Sequence, residues 1–256
     1  EQVAFSVTTP SGTQISDSIS WIERLIRIYG SPNTIYGTEI CNWHKDFATR
    51  LTFGHDIGTP DFANTDCIML WGHNPTVTWL ARSIEVQKAV KRGARTIIVD
   101  PRPTILAKKA DCWLRVKPGT DQAVALGLAN LLISSQRFDR QFIAEWSNGP
   151  LLVRSDNGKF LRQIDIEPGG RSDILLGCRK DSEMLLRYDT TQGIWLDDIS
   201  DIDLRASTNV ALSGANVSCR TAFDLYASAT AEYPPERVAK VTGVSQVALQ
   251  KAADIL

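Results

Sequence analysis

Asp66-Cys-Ile-Met-Leu-Trp-Gly-His-Asn-Pro75 is the stretch on which the fold turns. Its apolar run stops at Gly72 in a Gly/Asn/Pro turn, and the sequence then takes a helical pattern from about Val77 to Arg92 that Gly93 ends. Leu80, Ile84, Gln87 and Lys88 give that helix a mixed face. The same order recurs twice. Thr96 to Val99 is a β-branched strand running into Asp100-Pro-Arg-Pro103, whose first proline holds Asp100 extended and is expected to turn Asp100 and Arg102 outward. After a short helix at Ile105 to Lys109, Cys112 to Val116 is a third strand, closed by Lys117-Pro-Gly-Thr-Asp121 ahead of a helix from Gln122 to Ser134. Three copies of strand, turn and helix predict an α/β fold with a doubly wound, Rossmann-like, mostly parallel sheet. The strand C-termini then share one edge, where unpaired backbone N–H groups can hold an anion.

Outside this core, Val3 to Val7 reads as a strand and Ser16 to Tyr29 as an amphipathic helix, with Ile19, Ile22, Ile26 and Tyr29 on one stripe and Gly30 as its stop. Thr34 to Tyr36 is a second short strand, followed by a polar, turn-like run from Gly37 to Asp46. Beyond Trp146 the stretch from Asn148 to Gly214 is rich in Gly, Asp and Ser, with short alternating pieces at Leu151 to Arg154 and Met184 to Tyr188. It reads as irregular hairpins or a partly mobile insertion. Helices return at Ala222 to Ala229, Pro235 to Thr242 and Val244 to Leu256, the last with Ser245 as N-cap. The expected division is a truncated α/β subdomain (1–40), the Rossmann-like domain (41–147), an irregular hairpin insertion (148–218) and C-terminal helices returning to the α/β region (219–256).

The 256 residues are 43% hydrophobic and 22% charged with a net charge of −1, which fits a soluble globular protein and gives no electrostatic reason to bind nucleic acid or membranes. A small-molecule partner is expected. No apolar run approaches the roughly 18 residues of a membrane span, and the N-terminus carries no signal core. The sequence leaves the compartment open, with the cytoplasm favoured. A start at Glu1 and an end at Leu256 inside a helical pattern read as a piece of a longer protein. Five scattered cysteines without a CxxC pair build neither a zinc site nor an iron–sulfur cluster from local spacing.

Gly72, His73, Asn74 and Pro75 form a turn able to cradle a phosphate, yet without the three-glycine fingerprint of a nicotinamide site or the Gly-Lys-Ser/Thr of a P-loop. An ordinary β–α turn is the competing reading. Asp100 stands where an acid commonly bonds a ribose or purine edge, and Arg102 is suited to a bidentate phosphate contact. In Lys117 to Asp121 the plain alternative is a turn that caps the next helix. One nucleotide-sized ligand spanning all three turns raises the binding reading. Cys41 lies among Trp43, His44, Lys45 and Asp46, so a thiolate there has a proton partner and a cation nearby, although spacing alone favours a buried, inert cysteine. His44 and His55 are read as structural on spacing alone, and Cys67 and Cys112 as core.

Trp71-Gly-x-Asn-Pro75, Lys91-Arg-Gly-Ala94, Val99-Asp-Pro-Arg102, Ala110-Asp111 and Lys117-Pro-Gly-Thr-Asp121 resemble, in order and spacing, the central region of the molybdopterin oxidoreductases. Tyr233-Pro-Pro-Glu236 and Val241-Thr-Gly-Val244 resemble a later segment of the same family. The resemblance implies a molybdenum or tungsten ion held by two pterin guanine dinucleotides, a bis-molybdopterin guanine dinucleotide cofactor. On that basis Gly72, His73, Asn74 and Pro75 would meet the pyrophosphate, Asp100 and Arg102 the guanosine end, and Gly119, Thr120 and Asp121 would close over the same nucleotide. Cys41 falls where the family places its protein ligand to the metal, a role for which a soft thiolate is suited. Trp43 and Lys45 would line the substrate funnel, with Cys41, His44 and Trp43 as the candidate catalytic residues; His44 does not directly follow Cys41, which disfavours formate chemistry. The family's four-iron four-sulfur cluster would belong to an N-terminal domain, and that domain and a C-terminal β-barrel domain are expected to be missing from this sequence; an electron-transfer subunit is an expected partner.

The leading expectation is therefore the cofactor-binding region of a molybdenum or tungsten oxidoreductase, inactive as an isolated fragment. The competing expectations are a non-enzymatic nucleotide-binding or assembly module of the same fold, and an ordinary NAD(P) dehydrogenase, which the missing three-glycine spacing counts against.

Overall fold

The parallel strands β3 (Cys67–Trp71), β4 (Arg95–Val99) and β5 (Cys112–Leu114) lie in the order β3-β4-β5, with Met69 opposite Ile97 and Ile97 opposite Cys112. This computed structural model describes residues 3–7, 19–36, 47–55, 58, 60–212 and 215–256. The chain divides into two units, Glu1–Asp61 and Phe62–Leu256. In the first, β1 (Phe5–Val7) pairs in parallel with β2 (Thr34–Tyr36) across the crossover helix α1 (Ile19–Tyr29), and Phe5 meets Tyr29 edge-on at 5.4 Å. Helix α2 spans Ala48–Phe53. Of the expected α1 stripe, Ile26 is buried, Ile19 and Ile22 are half-buried and Tyr29 is exposed.

In the second unit the burial pattern gives the layering. Central strand β4 buries Thr96 through Val99 in succession, as a strand covered on both faces must. Ile97 and Val99 face one core with Leu114, Val124, Leu128, Val238 and Leu249, supplied by α6 (Asp121–Ser134), α10 (Pro235–Thr242) and α11 (Gln246–Ile255). Ile98 faces the other core with Ile68, Leu70, Val86 and Ala107, under α4 (Leu80–Arg92) and α5 (Ile105–Lys109). Helices on both faces make the sheet doubly wound, as the sequence predicts. A Cβ on Gly127 of α6 would come within 2.6 Å of Val238 Cγ2, so this glycine is what allows α6 and α10 to pack so closely.

Two local readings are corrected. The helix expected from Val77 is two helices, α3 (Pro75–Thr78) and α4, separated at Trp79, whose extended backbone ends the first while the Arg82 guanidinium lies 4.2 Å over its ring. The inner face of α4 is Ser83, Val86 and Ala89, whereas Leu80 and Ile84 are exposed. The buried stripe thus runs through small and medium side chains, one turn away from the larger apolar residues that the helix leaves exposed.

The stretch after α7 (Arg140–Trp146) contains two antiparallel sheets. One orders β10 (Ser207–Leu212), β11 (Ala215–Thr221) and β6 (Leu152–Arg154); the other orders β7 (Ile174–Cys178), β8 (Leu185–Asp189) and β9 (Ile194–Trp195). Bridges from Leu151 to Gly177 and Arg162 to Leu175 join them beside the one-turn helix α8 (Gln163–Ile166), over a core of Leu152, Leu161, Ile174, Leu176 and Cys219. Helix α9 (Ala222–Ala231) then leads back to α10 and α11.

Candidate functional site

The C-terminal ends of β3, β4 and β5 bring the three turns side by side, across a width on the order of 10 Å for three strands. The ladder continues one residue past β3, where Gly72 N–H donates to the Val99 carbonyl at 2.8 Å. There Gly72 takes φ +59°, a left-handed conformation that turns the chain away from the sheet. Among the described residues the backbone N–H groups of His73 and Asn74 then have no partner. The Asn74 carbonyl instead accepts from Val77 and Thr78 N–H, and its side-chain Oδ1 accepts from the Thr76 hydroxyl at 2.6 Å, which fixes the turn ahead of buried Pro75.

Asp100 departs from expectation. Instead of pointing outward, it is buried at 3% exposure. Oδ1 accepts from Arg102 N–H at 2.8 Å, closing an Asx turn over Pro101, while the Asp100 carbonyl accepts from Trp113 Nε1 at 2.8 Å. Its Oδ2 accepts from no donor among the described residues. Arg102 does point outward, with its side chain 76% exposed and its Nε 3.9 Å from Asp100 Oδ1.

The third turn is held from two directions. Lys117 N–H donates to the Thr242 carbonyl at 2.9 Å, the stem of Lys117 lies beside Gly243, and Val244 enters the sheet core, so the Val241–Val244 segment serves as a brace for this turn. Gly119 adopts φ +82°, and Thr120 donates through its N–H and hydroxyl to the Lys117 carbonyl. The N–H groups of Gly119 and Asp121 have no partner among the described residues. Asp121 opens α6, where a carboxylate is favoured by the helix dipole. Its Oδ1 accepts from Trp71 Nε1 at 2.7 Å, tying the first turn to the third.

Gly72, His73, Asn74, Pro75, Asp100, Arg102, Gly119, Thr120 and Asp121 thus share one edge. Cys41, Trp43, His44 and Lys45 lie outside the described residues. Sequence reasoning missed the two tryptophans: Trp71 and Trp113 are the links that hold the turns in register. The available signal was an indole at a strand's last residue and another in the middle of β5, each in need of an N–H acceptor. Below the edge, Asp111 accepts from Thr96 N–H and Arg95 Nε, which hold its carboxyl below the usual range and clamp the start of β4 to β5.

A family profile described as molybdopterin oxidoreductase matches residues 2–223. The chain belongs to the molybdopterin oxidoreductase family. It is 29% identical over 242 residues to the perchlorate reductase subunit alpha of Dechloromonas aromatica, covering 83% of this chain and 26% of that protein. To the acetylene hydratase of Syntrophotalea acetylenica it is 32% identical over 142 residues, covering 54% of this chain and 19% of that protein. The solved acetylene hydratase from Pelobacter acetylenicus shares the fold, with a TM-score of 0.54 and 22% identity over 91% of this chain and 22% of that one. The chain therefore spans about a quarter or less of the length of these relatives. Membership implies a molybdopterin cofactor, and the edge offers N–H donors that have no partner among the described residues, beside the carboxylate of Asp100, whose Oδ2 accepts from no donor there. Among the described residues no helix is long and apolar enough to cross a membrane.

Proposed function

We propose that this chain is the nucleotide-holding α/β region of a molybdenum or tungsten oxidoreductase that carries bis-molybdopterin guanine dinucleotide. The observation that carries the reading is the convergence, on one sheet edge, of the unpartnered N–H groups of His73, Asn74, Gly119 and Asp121 with Asp100 Oδ2. Backbone donors of this kind hold phosphate oxygens without supplying net charge. A carboxylate oxygen without a donor, open to solvent on an otherwise buried residue, is matched by the paired N–H groups of a guanine edge, and Arg102 is free to reach phosphate. Cys41 would be the protein's own ligand to the metal, with Trp43 and His44 beside the substrate. When bound, the cofactor supplies two-electron redox or atom-transfer chemistry. The chain's part is to orient its nucleotide tail by three turns whose relative positions Trp71 and Trp113 fix.

The test is metal analysis and guanine-nucleotide release on the full-length protein, purified without oxygen from a host that makes the cofactor. Molybdenum or tungsten with about two guanine nucleotides per metal is expected. Asp100→Ala should lower the nucleotide retained, and Cys41→Ser should lower metal content and turnover. A folded protein holding neither metal nor nucleotide would shift the reading to a non-enzymatic module.

A further inference from the structure

We propose that the cleft between the C-terminal end of α7 and the β8–β9 hairpin binds a small organic cation of the quaternary ammonium class. The cleft is about 500 Å³, a volume suited to a small molecule. Three aromatic rings line it: Trp146 from the end of α7, and Tyr188 and Trp195 from adjacent strands, the latter two meeting edge-to-face at 5.3 Å. Trp195 is anchored, since it also packs against the core of Leu186, Ile202 and Phe223. Trp146 is 76% exposed, a large ring surface that no other part of the described chain covers.

The charge in the cleft selects the ligand. Glu145 is the one lining side chain charged at neutral pH, and no lysine, arginine or histidine lines the cleft with it. Its Oε1 accepts from neutral Gln141 Nε2 at 2.8 Å, which steers the carboxylate without cancelling its charge. The carbonyl end of α7 adds to the same negative bias. Aromatic faces and a carboxylate together attract a weakly hydrated cation, while an anion would be repelled and a neutral guest would gain only the contact with the rings. The bias is local: a second cleft, about 560 Å³ and reached by Arg140 at the start of α7, also holds Lys180 and Arg205 against a single carboxylate, Asp201. This assignment is independent of the cofactor reading, because it uses none of the residues of the sheet edge.

The test titrates choline and its neutral isostere 3,3-dimethyl-1-butanol into the protein, followed by tryptophan fluorescence and calorimetry. Saturable choline binding is expected, about tenfold tighter than that of the isostere. Trp146→Ala should weaken choline by about tenfold, and Glu145→Gln should erase most of the preference over the isostere. Both positions are exposed, and unchanged circular dichroism would establish that each variant folds. Three results would overturn the assignment: no saturable choline binding, equal affinity for the isostere, or binding that both variants leave unchanged.

Discussion

The parallel sheet and the antiparallel module that follows it use charge in opposite ways. In the module, carboxylates are matched to arginines: Arg154 with Asp156 and Asp165, Arg171 with Asp173 and Asp189, Arg187 with Asp197, and Arg205 and Arg220 with Asp224. Several of these pairs are partly buried and share partners, and Asp189 is fully buried. On the C-terminal edge of the parallel sheet, by contrast, Asp100 and Arg102 are 3.9 Å apart and backbone donors stand without partners. The module's ion pairs hold its strands together, with Arg179 Nε and Asp189 Oδ2 as its buried atoms without a hydrogen bond among the described residues, whereas the sheet edge leaves its unpartnered groups open to a ligand. The comparison teaches where to look for function within one chain.

Acid should separate the two regions most strongly. Arg171 and Thr191 hold the Asp173 carboxyl at about 2, while Gln192 and Thr191 N–H groups hold Asp189 low, as Arg187 does for Asp197 and Arg154 for Asp156. Depressed carboxyl values mean stability that is present above the unfolded-state value and lost as pH falls through the folded one. The module should therefore loosen between about pH 4 and pH 2. Hydrogen exchange would report it, with the amides of β7 and β8 losing protection before those of β3 and β4; the reverse order would break the comparison.

Within the sheet, Leu114→Ala removes a fully buried side chain and should cost about 2–5 kcal/mol in a denaturant titration. Trp71→Phe keeps an aromatic ring, though a smaller one, and leaves Asp121 Oδ1 without its donor, for an expected loss of about 1–3 kcal/mol, together with weaker nucleotide retention in the full-length protein. Unchanged retention would show that the first and third turns act separately. The smallest effect is expected at Ser245→Ala, which removes the oxygen that accepts Ala248 N–H at the start of α11 and should cost about 1 kcal/mol, visible as a lower Tm.

Much of the fold was legible because its signals are local. Pro235–Thr242, Ile105–Lys109 and the strands at Thr96 and Cys112 occur close to where periodicity, Gly93 and Ser245 put them. The antiparallel module was less legible, since its sheets depend on pairings such as Arg154 with Cys219 across 65 residues. In the candidate site, the turn residues were readable from Gly, Pro and Asp at strand ends. The role of the tryptophans was not, because a donor's acceptor lies 50 residues away in Asp121 for Trp71.

The sequence by itself determined that three strand–turn–helix units place their turns on one edge, since strands joined by crossover helices run parallel and so end at the same side of the sheet. Only the tertiary structure decided that Asp100 is buried, that α4 packs through Ser83, Val86 and Ala89, and that Thr242 and Gly243 brace the third turn. A residue's conformation follows from its neighbours in the chain, but its burial and its hydrogen-bond partner follow from whatever distant segment is folded over it.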